Sequence, residues 1–327
     1  MRNKILILLI AMVLVTVAGI IITTVVTSDN QKEVSQNDDK IKVLTTFYPV
    51  YMIGLNLAGQ MDEIEIKSLT DLNTGCLHDY QLTTEDMKSI AAADILVING
   101  GGMEGFLEEV IDDYPALTIV DASKEITMLP ENVLEVGDVE TSESGLNAHV
   151  WLDPKLYIKQ IQNVRDGLKD YVISQNDDRK QLTEDIDINA DTYINRVNAL
   201  DSELDALSYS SGETSAASDQ QAIIFHNSFA YLAARIGLKV AYAVPLDEDT
   251  ALSAGDVAEI IDSVIREDIP YLFTEQQYSD SIAKRIEAET QAKVYIVDTA
   301  VTGDGSKDSY LDAMEENIRM LEEAFKR

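Results

Sequence analysis

The feature that most restricts the possible folds is an alternation of short apolar runs with amphipathic segments, which occurs twice along the chain. The first alternation starts near Ile41 and includes the strand-like run DILVING at 94–100. The second starts with QAIIF at 221–225 and ends with a helix predicted from Ser309 to Phe325. Strands that alternate with helices favour parallel sheets covered by helices. We therefore predict an α/β fold of two small lobes, each a mostly parallel sheet with flanking helices.

Two long helices separate these alternations. Asp153 followed by Pro154 marks a helix start, because a carboxylate at the N-cap and a proline at the first helical position both suit that end. A second helix is predicted over about 178–207, where apolar residues recur along one face. Since consecutive helices interrupt the strand and helix pattern, we interpret them as a long connection between the lobes.

The N-terminus carries basic residues and then an uncharged apolar stretch from Ile5 to Ser28. This stretch is longer than the apolar core of a usual signal peptide, about 7–15 residues, and approaches the ~20 residues that span a bilayer. We predict a cleaved signal peptide or an uncleaved signal anchor, with the folded part outside the cytoplasm, either secreted or tethered to the outer face of the cytoplasmic membrane. Lipid attachment near this segment is not expected, because Cys76 is the only cysteine.

These patterns divide the chain into a signal peptide or anchor, a polar tether, an N-terminal lobe, a linking backbone helix and a C-terminal lobe. The predicted bounds are, in that order, 1–28, 29–41, 42–152, 153–177 and 178–327. A single cysteine provides no internal disulfide, so the fold must be held by its core, or by its core together with a ligand.

The charge of the chain restricts its partners. Its 58 acidic and 25 basic residues give a formal net charge of −33. Such a surface repels phosphate backbones and attracts cations. Nucleic acid is therefore not an expected partner. Solubility alone is the more common reason for such acidity, which permits a function with cations and does not demonstrate one.

The three histidines of the chain all fall in loops or at strand ends. In open α/β sheets, ligands bind in the crevice beyond the carboxyl ends of the strands. Three imidazoles and one carboxylate form a suitable first shell for a divalent transition metal. The candidate ligands are the histidines and two carboxylates that follow strands of the second lobe: His78, His149, His226, Asp298 and Glu275.

Each candidate also has a structural interpretation. A histidine in a loop can simply be hydrogen-bonded, Asp298 can be a turn residue, and Glu275 can be an acid at a helix N-terminus. Cys76 could supply a soft thiolate, but a small buried thiol is the commoner role of a single cysteine. The NGGG stretch at 99–102 lacks the lysine of a P-loop, so we predict a tight turn between a strand and a helix there.

Four motifs, in their order along the chain, resemble the zinc and manganese solute-binding proteins of ABC transporters. They are GCLHDYQLTTEDM, AHVWLDP, FHNSFAYLAARIGL and FTEQQYS. The resemblance covers nearly all of the chain from about Lys42. It implies two metal-binding lobes joined by a long helix, and a protein that captures a transition-metal ion outside the cytoplasmic membrane and delivers it to an ABC permease. Such a protein is a binding component rather than an enzyme, and we expect a monomer.

The resemblance also assigns the ligands. His78, His149 and His226 match the first three ligand positions of the family, and Asp298 matches the fourth. Glu275 matches a recurrent acidic position and is kept as a reserve ligand. A histidine at the third position resembles the zinc-binding arrangement, so Zn²⁺ is the expected ion and Mn²⁺, or iron, the alternative.

The sequence departs from the family pattern in two places. The segment before His149 is acidic and lacks the histidine-rich loop of many zinc-binding members, and Cys76-Leu77 stand where a proline often precedes the first histidine. A zinc hydrolase is the rival from another class, but the chain has no HExxH motif, and four protein ligands would leave zinc no open position. A third interpretation, a membrane-anchored adhesion domain, would require binding to a partner without metal.

Zinc binding is expected to weaken below about pH 6, because imidazoles with a reference pKa near ~6.5 become protonated and lose the lone pair that binds a metal. Binding should also release protons. Calorimetric titration of the metal-free protein with zinc, in buffers of different ionisation enthalpy, measures both effects. An affinity that stays constant from about pH 7 to about pH 5 would contradict ligation by histidine.

Overall fold

The computed structural model describes residues 40–77, 80–131, 145–175, 178–208, 217, 220–244, 253–276 and 281–325. The predicted signal segment at 1–28, most of the predicted tether and the candidate ligand His78 lie outside these ranges. Within the described ranges, none of the helices combines the length and the apolar character that crossing a bilayer requires.

The first half of the chain forms a sheet of four parallel strands. These are β1 (Ile41–Thr45), β2 (Ile64–Ser68), β3 (Ile95–Ile98) and β4 (Thr118–Asp121), in the order β2-β1-β3-β4. Its helices are α1 (Tyr48–Ala58), α2 (Thr84–Ala92) and the short α3 (Glu108–Ile111). The strands β1 and β3 are apolar and buried because helices cover both faces of such a sheet.

The second half repeats this arrangement. Its strands are β5 (Gln221–Ile224), β6 (Lys239–Ala243), β7 (Tyr271–Glu275) and β8 (Lys293–Val297), in the order β6-β5-β7-β8. The helices are α6 (Ala230–Ile236), α7 (Ala254–Glu267), α8 (Ser281–Glu289) and α9 (Ser309–Phe325). The predicted α/β fold with two parallel sheets is thereby confirmed. In each sheet the strand order reverses beside the first strand, which is where such sheets bind ligands.

Two long helices, α4 (Pro154–Gln175) and α5 (Lys180–Ser208), lie between the two sheets in sequence. Helix α4 begins at Pro154, as the sequence predicts, and α5 begins two residues later than predicted. The two helices pack against each other, and α5 also contacts α1 of the first half and α6 and α9 of the second. The connection between the halves is therefore a packed pair of helices, one of which touches both.

A continuous core joins the halves. One cluster of buried side chains includes residues of both, and Trp151 and Tyr310 are fully buried in it. The indole nitrogen of Trp151 donates a hydrogen bond to the carbonyl oxygen of Thr299 at 2.8 Å, and the hydroxyl of Tyr310 donates to the carbonyl oxygen of Trp151 at 2.7 Å. Both halves are thus fixed around the segment that follows His149.

The NGGG turn directly follows β3, at the carboxyl end of the first sheet. Gly100, Gly101 and Gly102 all have positive φ angles, of 83°, 69° and 89°. A side chain at Gly100 would collide with the carboxylate of Asp121. Glycine is therefore required there both by the backbone conformation and by the close approach of β4, which agrees with the predicted tight turn.

The buried carboxylate of Glu104 stabilises the same end of the first sheet through hydrogen bonds. Glu104 accepts hydrogen bonds from the hydroxyl of Thr46 at 2.7 Å and from the backbone nitrogens of Asn99 and Gly100 at 2.7 and 3.1 Å. The side chain of Asn99 in turn donates to the carbonyl oxygen of Ala148 at 2.9 Å. Burial raises the pKa of Glu104 to about 7, although these hydrogen bonds lower it. The carboxyl group thereby positions the residue that precedes His149.

The raised pKa of Glu104 makes stability depend on pH. The unfolded chain ionises this carboxyl near its ordinary pKa of 4.5, whereas the folded protein ionises it near about 7. Between these two pKa values the unfolded state binds fewer protons than the folded state. The contribution of Glu104 to the free energy of unfolding is therefore complete below pH 4.5 and is lost as the pH rises to about 7. The unfolding free energy of the parent, relative to Glu104→Gln, should fall by about 3 kcal/mol across this window.

Urea titrations of the metal-free proteins at the two ends of the window measure this difference. The same substitution at the exposed Glu108, on the adjacent α3, is the control. A difference between parent and Glu104→Gln that does not change with pH would show that Glu104 ionises at the same pH in both states.

Candidate metal centre

The ends of β5 and β7 bring His226 and Glu275 together. His226 follows β5 closely, and Glu275 is the last residue of β7, the strand that pairs with β5. The Nδ1 atom of His226 lies 2.7 Å from Oε1 of Glu275, and both side chains are buried. The hydroxyl of Ser228 donates to the same carboxylate oxygen. Glu275 therefore orients the imidazole of His226.

The backbone at His226 is strained. Its φ and ψ angles are 150° and 144°, a conformation that residues with a side chain rarely adopt. Such strain persists where the surrounding structure compels it. The 3-10 turn at Asn227–Phe229, which starts immediately afterwards, and the bond to Glu275 both hold His226 in this conformation.

His149 is fixed by Asn147. The Oδ1 atom of Asn147 accepts a hydrogen bond from the backbone nitrogen of His149 at 3.1 Å, and it lies 2.8 Å from the ring atom Nδ1 of the same histidine. A backbone N–H can only donate, so the amide oxygen is an acceptor in both contacts and Nδ1 must carry the proton. The lone pair of the neutral ring is therefore on Nε2.

The two histidines lie side by side. Their ring centroids are 4.6 Å apart with an interplanar angle of 84°. One hydrogen bond joins the two loops, because the side chain of Asn147 also donates to the carbonyl oxygen of Asn227 at 2.8 Å. Asn147, two residues before His149, thus contacts the residue directly after His226, which aligns the two halves at this position.

Cys76 completes a group of three possible ligands. Its Sγ atom lies 3.5 Å from Nε2 of His149. One ligand atom each from Cys76, His149 and His226 lie within 4.8 Å of one another. These three side chains are close enough to hold one metal ion. Among the residues that the structure describes, they form the group of histidine, cysteine or acidic side chains that meets this condition.

Asp298 lies beside this group rather than in it. Its backbone nitrogen donates to Oδ1 of Asn317 at 2.9 Å, and its own Oδ1 accepts from the backbone nitrogen of Ala300 at 2.8 Å. Burial raises the pKa of Asp298, the bond from Ala300 lowers it, and the negative charge of Glu275 raises it further. The two carboxylates therefore interact electrostatically at one edge of the second sheet.

Some contacts of the site were not predicted from the sequence. Asn147 and Ser228 position the predicted ligands, and the spacing Asn147-Ala148-His149 was the available signal for the first of them. The predicted cap is present, since Oδ1 of Asp153 accepts from the backbone nitrogen of Lys155 at 2.9 Å.

Comparison with known proteins identifies the family. The model of the family described as zinc-uptake complex component A, periplasmic, matches residues 43–324. The chain belongs to this family. The resemblance noted in the sequence is therefore confirmed. Members of this family are components of metal uptake and not enzymes.

Relatives of this zinc-uptake family member carry different metals in their names. The zinc-binding lipoprotein AdcA of Streptococcus pneumoniae serotype 4 is 30% identical over 309 residues, which are 91% of this chain and 58% of AdcA. The iron-binding protein YfeA of Yersinia pestis is 27% identical over 320 residues, which are 95% of this chain and 94% of YfeA. The chain thus spans little more than half the length of AdcA.

Solved structures of metal-binding proteins share the fold of this chain. The Zn(II)-bound ZnuA-like domain of Streptococcus pneumoniae AdcA superposes with a TM-score of 0.70 and 24% identity, covering 88% of this chain and 100% of that domain. The Mn²⁺ complex of FpvC from Pseudomonas aeruginosa gives a TM-score of 0.71 with 22% identity over 88% of this chain and 98% of FpvC.

His149 and His226 are both expected to be Nδ1–H tautomers in the metal-free protein near neutral pH. Asn147 and Glu275 accept from Nδ1, so each ring presents its lone pair at Nε2. Long-range ¹⁵N–¹H NMR spectra distinguish the tautomers. Asn147→Ala should lose the preference at His149 but keep it at His226. A dominant Nε2–H form of His149 in the parent would contradict the assignment of the Asn147 oxygen.

Proposed function

We propose that the protein is the extracytoplasmic binding component of an ABC metal importer, and that it captures Zn²⁺ between its two halves and delivers it to a permease in the cytoplasmic membrane. The observation that carries this proposal is the meeting of His149, from the first half, with His226, from the second, each buried and each held through Nδ1. Membership of the zinc-uptake family supports it.

The proposed ligands are His78, His149, His226 and Asp298. For His149 and His226 the ligand atom is Nε2, because Nδ1 is engaged by Asn147 and Glu275. Glu275, the reserve ligand, acts on the metal through His226, since a carboxylate bonded to the second nitrogen of an imidazole fixes the ring and strengthens it as a ligand.

Zinc is the ion that this set of side chains favours. Imidazole is a good ligand for zinc, whereas carboxylate-rich sites favour manganese. AdcA, whose name describes zinc binding, is 30% identical to this chain. Manganese or iron remains the alternative cargo, and the similarity to the iron-binding protein YfeA is the observation that favours it.

Release of the metal requires the halves to separate at the site. The bonds from Asn147 to Asn227 and from Trp151 to Thr299 cross between them, and α5 packs on both. We propose a modest tilt of one half against the other, with lobes at 42–152 and 178–327 and the linking helix at 153–177. The N-terminal segment would serve as a signal peptide or as an anchor for the monomeric protein.

Zinc should raise the melting temperature of the metal-free protein, because an ion that binds only the folded state stabilises it, by about 2.7 kcal/mol at a concentration 100 times its dissociation constant. His226→Ala should abolish this rise. Glu275→Gln should keep it but weaken zinc binding about tenfold or more. Differential scanning calorimetry and competition with a chelator measure the two effects.

The matched control is Glu315→Gln, which removes the same charge from an exposed position on α9. It should bind zinc like the parent. The absence of a zinc-dependent rise, or tight binding by His226→Ala, would overturn the proposed site. Preference for manganese over zinc in direct competition would leave metal capture in place and overturn the choice of ion.

A further inference from the structure

We propose that Cys76 is itself a zinc ligand and takes the fourth ligand position in place of Asp298, so that its thiolate binds the metal together with the imidazoles of His149 and His226. This inference rests on the proposed function and specifies the chemistry of the same site. It concerns a group of three side chains from three distant segments rather than an isolated cysteine.

The distance between sulfur and nitrogen agrees with a tetrahedral zinc site. Bonds of about 2.3 Å to sulfur and about 2.0–2.1 Å to nitrogen, separated by the tetrahedral angle, place the two ligand atoms about 3.5 Å apart. The observed separation between Sγ of Cys76 and Nε2 of His149 is 3.5 Å. The pair therefore already has the spacing that a bound zinc ion needs.

The orientation of His149 supports the same conclusion. Its proton is on Nδ1, bonded to Asn147, so the lone pair on Nε2 is directed towards Cys76. In the metal-free protein the thiol S–H donates to this lone pair. When zinc binds, the S–H bond breaks, sulfur and Nε2 each form a bond to zinc, and the thiol proton passes to the solvent.

The position of the sulfur is set by the core rather than by a free loop. Leu77, the next residue, is fully buried in the main core cluster, and Cys76 itself packs against that cluster. The carbonyl oxygen of Leu77 also accepts a hydrogen bond from the backbone nitrogen of Tyr80 at 3.0 Å. The core thus positions Cys76 beside His149, which limits the entropy lost on binding.

A thiolate ligand would separate zinc from manganese more sharply than imidazoles and carboxylates do. Sulfur ligands select soft and borderline ions, whereas manganese prefers oxygen. The cargo expected from this arrangement is zinc or another thiophilic divalent ion.

Substitution of cobalt for zinc tests the inference with the full chain. Cobalt(II) in a tetrahedral site gives visible d–d bands whatever its ligands, and a thiolate adds a sulfur-to-cobalt charge-transfer band in the near ultraviolet. The parent should show both. Cys76→Ser should retain the d–d bands, lose the charge-transfer band, and bind zinc at least about tenfold more weakly, since loss of even an outer-shell partner has an effect of that size.

The two signals separate the inference from the function on which it rests. Visible bands without charge transfer in the parent would overturn ligation by Cys76 and leave metal capture intact, and they do not depend on whether the variant folds. Failure of the parent to bind cobalt or zinc would overturn the proposed function itself. Because Cys76 is the only cysteine, its alkylation by iodoacetamide gives a second measurement, and zinc should slow that reaction.

Discussion

The arrangement of the two halves depends on the burial of the only tryptophan, Trp151. Its ring packs edge to face on Phe47 of the first half, with centroids 5.2 Å apart, while its indole N–H reaches the carbonyl oxygen of Thr299 in the second half. A buried indole needs an acceptor for its N–H, and here the acceptor belongs to the other sheet. Since His149 precedes it by two residues, the same packing determines where that histidine lies.

The candidate site uses buried polar groups that satisfy one another. His149 and His226 are 1% and 5% exposed, and leaving such groups without partners would cost free energy. Asn147 and Glu275 each accept from an Nδ1 atom, and Nε2 of His149 lies 3.5 Å from Sγ of Cys76. The hydrogen bonds that satisfy the buried imidazoles are therefore the same bonds that orient them as the proposed ligands.

The two sheets contribute to the site in different ways. In the second half, strand pairing alone places His226 and Glu275 next to each other, because β5 and β7 are neighbours. In the first half, Cys76 and His149 lie on loops, and Glu104, Asn99 and the glycine turn hold the sheet edge against the segment before His149. The second half thus contributes residues at the carboxyl ends of two neighbouring strands. The first half contributes residues on loops that a buried carboxylate holds in position.

The sequence by itself determined the fold class, because the alternation of strands with helices and the cap at Asp153 are local signals. It also predicted that His226 and Glu275 lie at the same end of the second sheet, since residues that follow parallel strands collect there, and the two side chains do meet. Only the tertiary structure decided which of them meet. Cys76 and His149 are 73 residues apart in the chain, and their contact follows from how the loops pack on the common core. No local pattern encodes that distance, so the sequence alone leaves a small buried thiol and a soft ligand as the two roles open to Cys76.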